Sequence, residues 1–405
     1  DSTAAYDQEI GNEAIWPKFF FQFGTDTVLH VAACLSTDNR TDLQPIMYFR
    51  KVGYEGSPDT DWDYPPYVVD SVPSINQDIT GERLGDRVCM AWFANLPYQE
   101  PSCDTCSGLS PYGPGYNQMD NDLYYQVSND QGVTWEPRVN ISQVPLGGEA
   151  YKPFCDCSIL FDQAGYLHIL WHAHPWPEDA CWEEGGQCWD EAFYPDRARM
   201  FHWSENVPYF RTVCDHTYEP SDSCGSTEWG MTVGKMTLSE CDGKLYAIWG
   251  QFNDVPNGIE DDCAQWVYDG GSYWGGANSD IWVSVSSDNG MSWDAQRNLT
   301  NTYTPHCDPF AANDCQNEYW PSMSRWGREV QTGEDWSMAE VVDPSGGSSP
   351  TDYYLDIQFI NDLDAGSAIK GDEGSMTNNP VKWFRMPCVE PVPNPLFIPE
   401  WTYYG

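Results

Sequence analysis

Short runs of alternating apolar and polar residues, broken by Gly, Pro, Asn and Asp, recur along the whole chain. Runs of this length, rich in β-branched and aromatic residues, read as strands and are too short for helices. One pattern repeats as Val28-Leu-His-Val-Ala-Ala-Cys34, Val88-Cys-Met-Ala-Trp-Phe93, Tyr166-Leu-His-Ile-Leu-Trp171 and Lys244-Leu-Tyr-Ala-Ile-Trp249, with Trp336-Ser-Met-Ala-Glu-Val-Val342 as a weaker fifth copy. A further strand follows each: Pro45 to Arg50, Asp122 to Val127, Arg199 to Trp203, Asp280 to Val285 and Tyr353 to Phe359. Inner strands are expected to begin near Trp16-Pro17, Val72-Pro73, Lys152-Pro153, Met231 and Trp320-Pro321. Asn379 to Arg385 reads as a last outer strand or a closing strand.

Two of these units end alike. Ser128-Asn-Asp130-Gln-Gly132-Val-Thr134-Trp135 recurs as Ser286-Ser-Asp288-Asn-Gly290-Met-Ser292-Trp293. Ser and Asp side chains can bond the turn's own backbone, Gly can take positive φ, and the Trp can fold back as an apolar plug. Ser128, Asp130, Gly132, Trp135, Ser286, Asp288, Gly290 and Trp293 therefore read as a structural set. The motif resembles the Asp box (BNR repeat) of sialidases and other β-propellers. Asp130 and Asp288 would mark two blades of about 79 residues. The fold class expected is all-β: a propeller of five four-stranded blades, with six as the close alternative, carrying long disulfide-stapled loops. Residues 1–15 read as an N-terminal arm, 16–390 as the propeller and 391–405 as a Pro-rich tail.

The resemblance to sialidases does not bring their chemistry with it. That family needs an arginine cluster, a Tyr nucleophile with a Glu partner, and a Phe/Tyr-Arg-Ile-Pro motif near the start. The nearest match here, Tyr48-Phe49-Arg50-Lys51, lacks Ile-Pro and falls on a strand. Other glycosidases need two carboxylates about 5 to 9.5 Å apart, and among 62 acidic residues nothing selects a pair. No catalytic residue is assigned.

The formal charge of -43, from 62 acidic and 19 basic residues, argues against nucleic acid or an anionic membrane as partner. It suits a surface that holds cations. Asp59, Asp61 and Asp63 alternate in turn-prone sequence, as do Asp362 and Asp364, while Asp254, Glu260, Asp261 and Asp262 cluster; each group is a candidate calcium site. His168, His172 and His174 would share one side of a strand, with His202 on the next, as a weaker candidate for Zn²⁺ or Cu²⁺. No organic cofactor is expected.

Fifteen cysteines point to an oxidising compartment. Close pairs suggest loop staples: Cys103 with Cys106, Cys181 with Cys188, Cys214 with Cys224, and Cys307 with Cys315. The count is odd, so at least one thiol is free or pairs with another chain. A cleaved export signal, with an extracellular or cell-surface location, is expected, and no stretch is long and apolar enough to span a membrane. Asn39, Asn140 and Asn298 match the glycosylation sequon. Trp176, Trp182, Trp189, Tyr273 and Trp274, in the stapled loops, could stack on sugar rings or on another protein.

Together these features favour a secreted, non-catalytic propeller with a structural or adhesive role, its main partner being itself in a homo-oligomer or polymer: a filament, sheath or surface layer. The alternative is a glycan-active propeller, either a glycoside hydrolase or a carbohydrate-binding protein.

Overall fold

The computed structural model describes residues 13–36, 44–53, 62–63, 65–72, 76–95, 121–143, 150–176, 181–184, 187–190, 197–217, 232–252, 262, 277–305, 307, 314–329, 353–363 and 378–388. Among these residues there is no helix, and five four-stranded sheets and one two-stranded hairpin form. The fold is an all-β propeller, as the repeats predict. The chain divides into two compact units, Asp1–Tyr194 and Pro195–Gly405.

In the first unit, β1 (Glu13–Phe23), β2 (Thr27–Ser36), β3 (Gln44–Val52) and β4 (Tyr67–Val72) pair in sequence order. So do β5 (Gln77–Gly81), β6 (Val88–Asn95), β7 (Asn121–Ser128) and β8 (Val139–Asn140). The antiparallel pair β9 (Ala150–Phe161) and β10 (Leu167–Trp176) follows, then the hairpin β11 (Cys181–Glu184) and β12 (Gln187–Asp190). In the second unit, β13 (Arg197–Ser204) pairs with β14 (Arg211–Thr217). A sheet of β15 (Val233–Cys241), β16 (Lys244–Phe252), β17 (Ser279–Ser286) and β18 (Arg297–Asn298) precedes the last one. That last sheet holds β19 (Asn317–Met323), β20 (Arg328–Glu329), β21 (Tyr353–Asp362) and β22 (Val381–Pro387).

Burial follows from stacking. A strand with neighbouring sheets on both faces loses its alternation and becomes apolar throughout. Accordingly, the eight β16 residues Leu245 to Phe252 are all buried, and the polar Gln251 among them accepts a hydrogen bond from Trp249 Nε1 at 2.9 Å. Strand β13, by contrast, alternates strictly between buried and more open positions. Trp92, Trp171 and Trp249, at or next to the end of three copies of the second-strand pattern, are among the largest fully buried side chains. Within the second unit, Tyr246, Ile248, Ile281, Val283, Val285, Met323, Leu355, Ile357 and Phe359 form one core between the last two sheets. A disulfide joins Cys241 at the end of β15 to Cys388 just past β22.

Three expectations about the strands need correction. β1 begins at Glu13, where Glu13, Ala14 and Ile15 pair with Ser36, Leu35 and Cys34, so the arm cannot extend to residue 15. Val72 does not lead into the second blade: Gln44 pairs with it, which gives the first blade its fourth strand. β21 pairs directly with the inner strand β19 and is the second strand of its blade; β22 is then the third. Both patterns are alternating and apolar, so strand order could not be told from them. Trp336–Val342 lies outside the described residues, as do most of the expected arm and the 391–405 tail.

Candidate functional site

The two Asp-containing turns are built alike, and they are closed structures. The Ser128 hydroxyl donates to Asp130 Oδ1 at 2.8 Å and accepts the Gly132 amide at 2.8 Å. The Thr134 amide and hydroxyl donate to the two Asp130 oxygens at 2.8 and 2.6 Å. Ser286, Asp288, Gly290 and Ser292 reproduce all four distances. Burial works to raise the pKa of Asp130 and of Asp288, but the hydroxyl and amide donors outweigh it and the net shift is downward. Gly132 and Gly290 lie at φ +82° and +84°. A Cβ on Gly132 would collide with the Tyr48 hydroxyl, and one on Gly290 with the His202 ring. Trp135 stands edge-on to Tyr48, with ring centroids 4.9 Å apart, and Trp293 to His202 at 5.3 Å. Each turn thus clamps a ring from the preceding blade.

That contact places His202 in a packing role. His168 instead reaches Asp162 at 3.2 Å, while the His172 and His174 rings meet edge-on at 5.4 Å, both against Phe154. Among the described residues no three His, Cys, Asp or Glu side chains are grouped to hold a metal. Of the calcium candidates, Asp63 pairs with Arg50 at 2.9 Å, and Arg50 also donates to the Gln131 carbonyl at 2.7 Å. Asp362 sits at the end of β21, opposite Asn317. Asp59, Asp61, Asp364, Asp254, Glu260 and Asp261 lie outside the described residues.

The cysteine expectations divide. Cys307 and Cys315 form the predicted disulfide. Cys214 does not follow the expected pairing with Cys224: it is a free, buried thiol beside Gln296, at 3.5 Å, and burial pushes its pKa well up. Cys181 and Cys188 stand on the paired strands of the β11–β12 hairpin, opposite Asp190 and Glu183 respectively. Cys103, Cys106 and Cys224 lie outside the described residues, as do Tyr273 and Trp274 and the side chains of Trp176, Trp182 and Trp189. Sequence reasoning missed Cys241–Cys388, separated by 147 positions.

The sequons at Asn140 and Asn298 have structural work. The Asn140 amide donates to Asp122 Oδ2 at 2.6 Å and the Asn298 amide to Asp280 Oδ2 at 2.7 Å. Ser142 and Thr300 donate to the other oxygens, so each sequon ties the outer strand to the start of the third. Asn39 lies outside the described residues.

Buried acid chemistry is concentrated beside Asp280. Thr302 approaches Asp280 Oδ1 through its amide at 3.0 Å and its hydroxyl at 2.9 Å, and the same hydroxyl lies 2.6 Å from Glu318 Oε2. One hydroxyl proton cannot serve two carboxylates. A proton on Glu318, donated to the Thr302 oxygen while Thr302 donates to Asp280, satisfies all three groups. Burial, helped by the Asp280 charge, pushes Glu318 up to about 7 despite Thr302 and the Lys382 ammonium at 3.4 Å. Asp262, held by the Asn278 side chain at 2.9 Å and the Thr304 amide at 3.0 Å, is pushed by burial up to about 6.

Two residues beyond Glu318 the same strand breaks its ladder. Tyr319 pairs with Ile360 and Ser322 with Gln358, so Trp320 and Pro321 together face one residue of β21. Strands β1 and β15 bulge in the same way at Trp16-Pro17 and at Lys235-Met236. Trp16, Lys235 and Trp320 lie at φ +54°, +54° and +58°. A left-handed conformation is a genuine outlier for a bulky residue, and bulges of this kind re-aim side chains next to binding sites. Trp16 and Trp320 remain 54% and 42% exposed. The Lys235 ammonium sits 4.3 Å from the Trp320 ring centroid, and Tyr319 meets Trp320 edge-on at 6.1 Å. The Trp-Pro pairs marked these strands in the sequence; alternation alone gave no sign that the tryptophans would face outward.

No family model matches the sequence, and no curated protein matches it. Several solved structures with a similar fold are named as glycan-acting enzymes, and one is a protein of unknown function from Dyadobacter fermentans. An exo-β-1,3-galactanase from Clostridium thermocellum is 12% identical, with 92% of this chain and 59% of that one covered and a TM-score of 0.37. The chain therefore spans about three-fifths of the galactanase's length. A levansucrase solved with sucrose is 10% identical over 94% of this chain and 85% of that one, at a TM-score of 0.41. An endo-arabinanase from Bacillus licheniformis is 9% identical, with 92% of each chain covered and a TM-score of 0.33. The expectation of a non-catalytic structural protein has no counterpart among these matches and is not carried further. The likeness is one of fold, and no residue of theirs is carried over.

Proposed function

We propose that this chain is a glycan-active propeller, with a carbohydrate site built on the inner-strand bulges of its last two blades. The observation that carries the reading is Trp320: a large aromatic held in a left-handed conformation and still 42% exposed. Backbone strain of about 1–3 kcal/mol is kept only where the surroundings enforce it, and it collects at ligand sites. An indole so held offers a flat apolar face to the C–H face of a sugar ring, at low cost in side-chain entropy. Glycan binding is what this arrangement supports most directly.

Hydrolysis is the second reading, favoured by Glu318. A carboxylic acid that keeps its proton near neutral pH is what a general acid requires. It lies two residues before Trp320 on the same strand. The two turns at Asp130 and Asp288 are read as Asp boxes, with no part in either activity. The Cys241–Cys388 and Cys307–Cys315 disulfides support work in an oxidising compartment.

A glycan array probed with the intact protein, followed by a hydrolase panel on the hits, tests the proposal. Trp320→Ala is expected to weaken binding about tenfold or more. If hydrolysis is present, Glu318→Gln is expected to lower its rate by about 10²-fold or more. An array without hits would sink the reading; hits that Trp320→Ala leaves unchanged would move the site elsewhere.

A further inference from the structure

The tryptophan platform at Trp320 has a counterpart in the other compact unit. We propose that Trp16 forms a second glycan subsite, so that one chain holds a neutral polysaccharide at two places, one on each unit. The inference rests on the glycan reading above and adds both a site and the class of glycan.

Trp16-Pro17 in β1 and Trp320-Pro321 in β19 are the same dipeptide in the same irregularity. Ile15 pairs with Cys34 and Lys18 with Ala32, so Trp16 and Pro17 together face Ala33. Trp320 and Pro321 face Phe359 in the same way. The two tryptophans lie at φ +54° and +58°, and Trp16 is the more exposed, at 54% against 42%. Glycine would meet this backbone without strain. A tryptophan meets it at about 1–3 kcal/mol and, left in water, recovers little of that by burial.

The bulge at Trp16 is also held from outside its own strand. The buried Gln77 of β5 donates its side-chain amide to the Trp16 carbonyl at 2.8 Å, while its oxygen accepts the Cys34 thiol at 2.9 Å. Both ends of one buried amide are thus used on the bulge, one on β1 and one on β2. The backbone under the indole is fixed before any ligand arrives, which limits the entropy lost on binding. A left-handed position, a fixed carbonyl and an open indole together make a stacking platform for a sugar ring.

Charge sets the class of sugar. With 62 acidic residues against 19 basic ones, the chain repels uronates and sulfated glycans. The face of an indole offers no full positive charge to offset that repulsion. A neutral pyranose gains the stacking without it. Two such subsites favour a long polymer over a short oligosaccharide, because engaging one raises the effective concentration at the other.

The test is electrophoresis of the intact protein through gels containing galactomannan, arabinoxylan or mixed-linkage β-glucan, with polygalacturonate as the acidic control. At least one neutral polymer should retard the protein and polygalacturonate should not. Trp16→Ala should lower the apparent affinity for the retarding polymer about tenfold, and the double variant with Trp320→Ala about a hundredfold. Trp16→Gly, which takes the left-handed conformation without strain, guards against a misfolded Ala variant and should behave like it. If both Trp16 variants are retarded like wild type while Trp320→Ala is not retarded, the second subsite is overturned and the glycan reading stands. Retardation by polygalacturonate as strong as by any neutral polymer overturns the neutral class. Retardation by none of the polymers removes both the subsite and the glycan reading.

Discussion

The turn around Asp130 and the bulge around Trp320 are two uses of the same left-handed backbone. In the turn Gln131 and Gly132 lie at positive φ, Ser128, Asp130 and Thr134 bond one another, and Tyr48 fills the space a Cβ on Gly132 would take. In the bulge the residue at positive φ is a tryptophan, which meets that geometry at a steric cost and faces outward. The turn is what a sequence chooses when only stability is at stake. The bulge is what remains when a side chain must be presented in a particular direction. This difference, more than any acidic residue, locates the candidate site.

The comparison breaks most readily at the glycine. Gly132→Ala adds a left-handed penalty of about 1–2 kcal/mol and an overpacking cost of about 1–3 kcal/mol against the Tyr48 hydroxyl. A loss of about 2–4 kcal/mol in denaturant unfolding is expected. A loss below about 1 kcal/mol would mean that the turn yields easily and is not the rigid partner in the contrast.

Glu318 gives the next largest effect. Its folded pKa is raised from 4.5 to about 7, so the fold favours the protonated acid. The associated stability is full below about pH 4.5 and is lost as pH rises through about 7. It amounts to something on the order of 3 kcal/mol across that window. Asp262, raised to about 6, adds in the same sense between about pH 3.8 and 6. Buried His30, lowered to about 3, adds in the opposite sense between about pH 6.5 and 3. The readout is therefore the difference between wild type and Glu318→Gln, measured by unfolding at several pH values. That difference should shift toward the variant as pH rises from 4.5 to 7; parallel curves would remove the shared-proton arrangement.

How much of this could be read beforehand follows the same division. Alternation and the repeated Trp92, Trp171 and Trp249 positions made the blades legible, because burial on both sheet faces writes itself into a period. The paired Asp turns were legible because their hydrogen bonds are local. Strand order in the last blade was not, since β21 and β22 carry similar patterns and only pairing with β19 separates them. Local spacing suggested Cys214 with Cys224, whereas the chain's long disulfide joins Cys241 to Cys388, a proximity created by the stacking of two blades. The Lys235–Trp320 contact was hidden for a related reason. A bulge adds one residue to one strand, and the sequence shows that residue without showing which partner it skips.

Trp320→Gly tests the other side of the comparison. Removing the side chain from a left-handed position should relieve strain, and stability should stay level or rise by about 1 kcal/mol while glycan binding falls. A gain in stability with a loss of function is the signature expected of a residue kept for presentation. If the variant is destabilised by more than about 2 kcal/mol, Trp320 is a packing residue and the contrast with Gly132 collapses.

The smallest effect concerns the two clamped rings. Tyr48 and His202 stand under equivalent glycines and meet equivalent tryptophans, so the pocket beneath each turn asks for a flat ring and little else. His202→Tyr should then cost no more than about 1 kcal/mol, because ring and stacking geometry are retained. His202→Ala should cost about 1–3 kcal/mol, since it opens a space beneath Gly290 and Trp293 that the turn's own hydrogen bonds prevent from collapsing. Thermal unfolding of the two variants side by side measures the difference. If tyrosine proves as costly as alanine, the imidazole has a partner-specific role, and His202 returns as a functional residue instead of a wedge between blades.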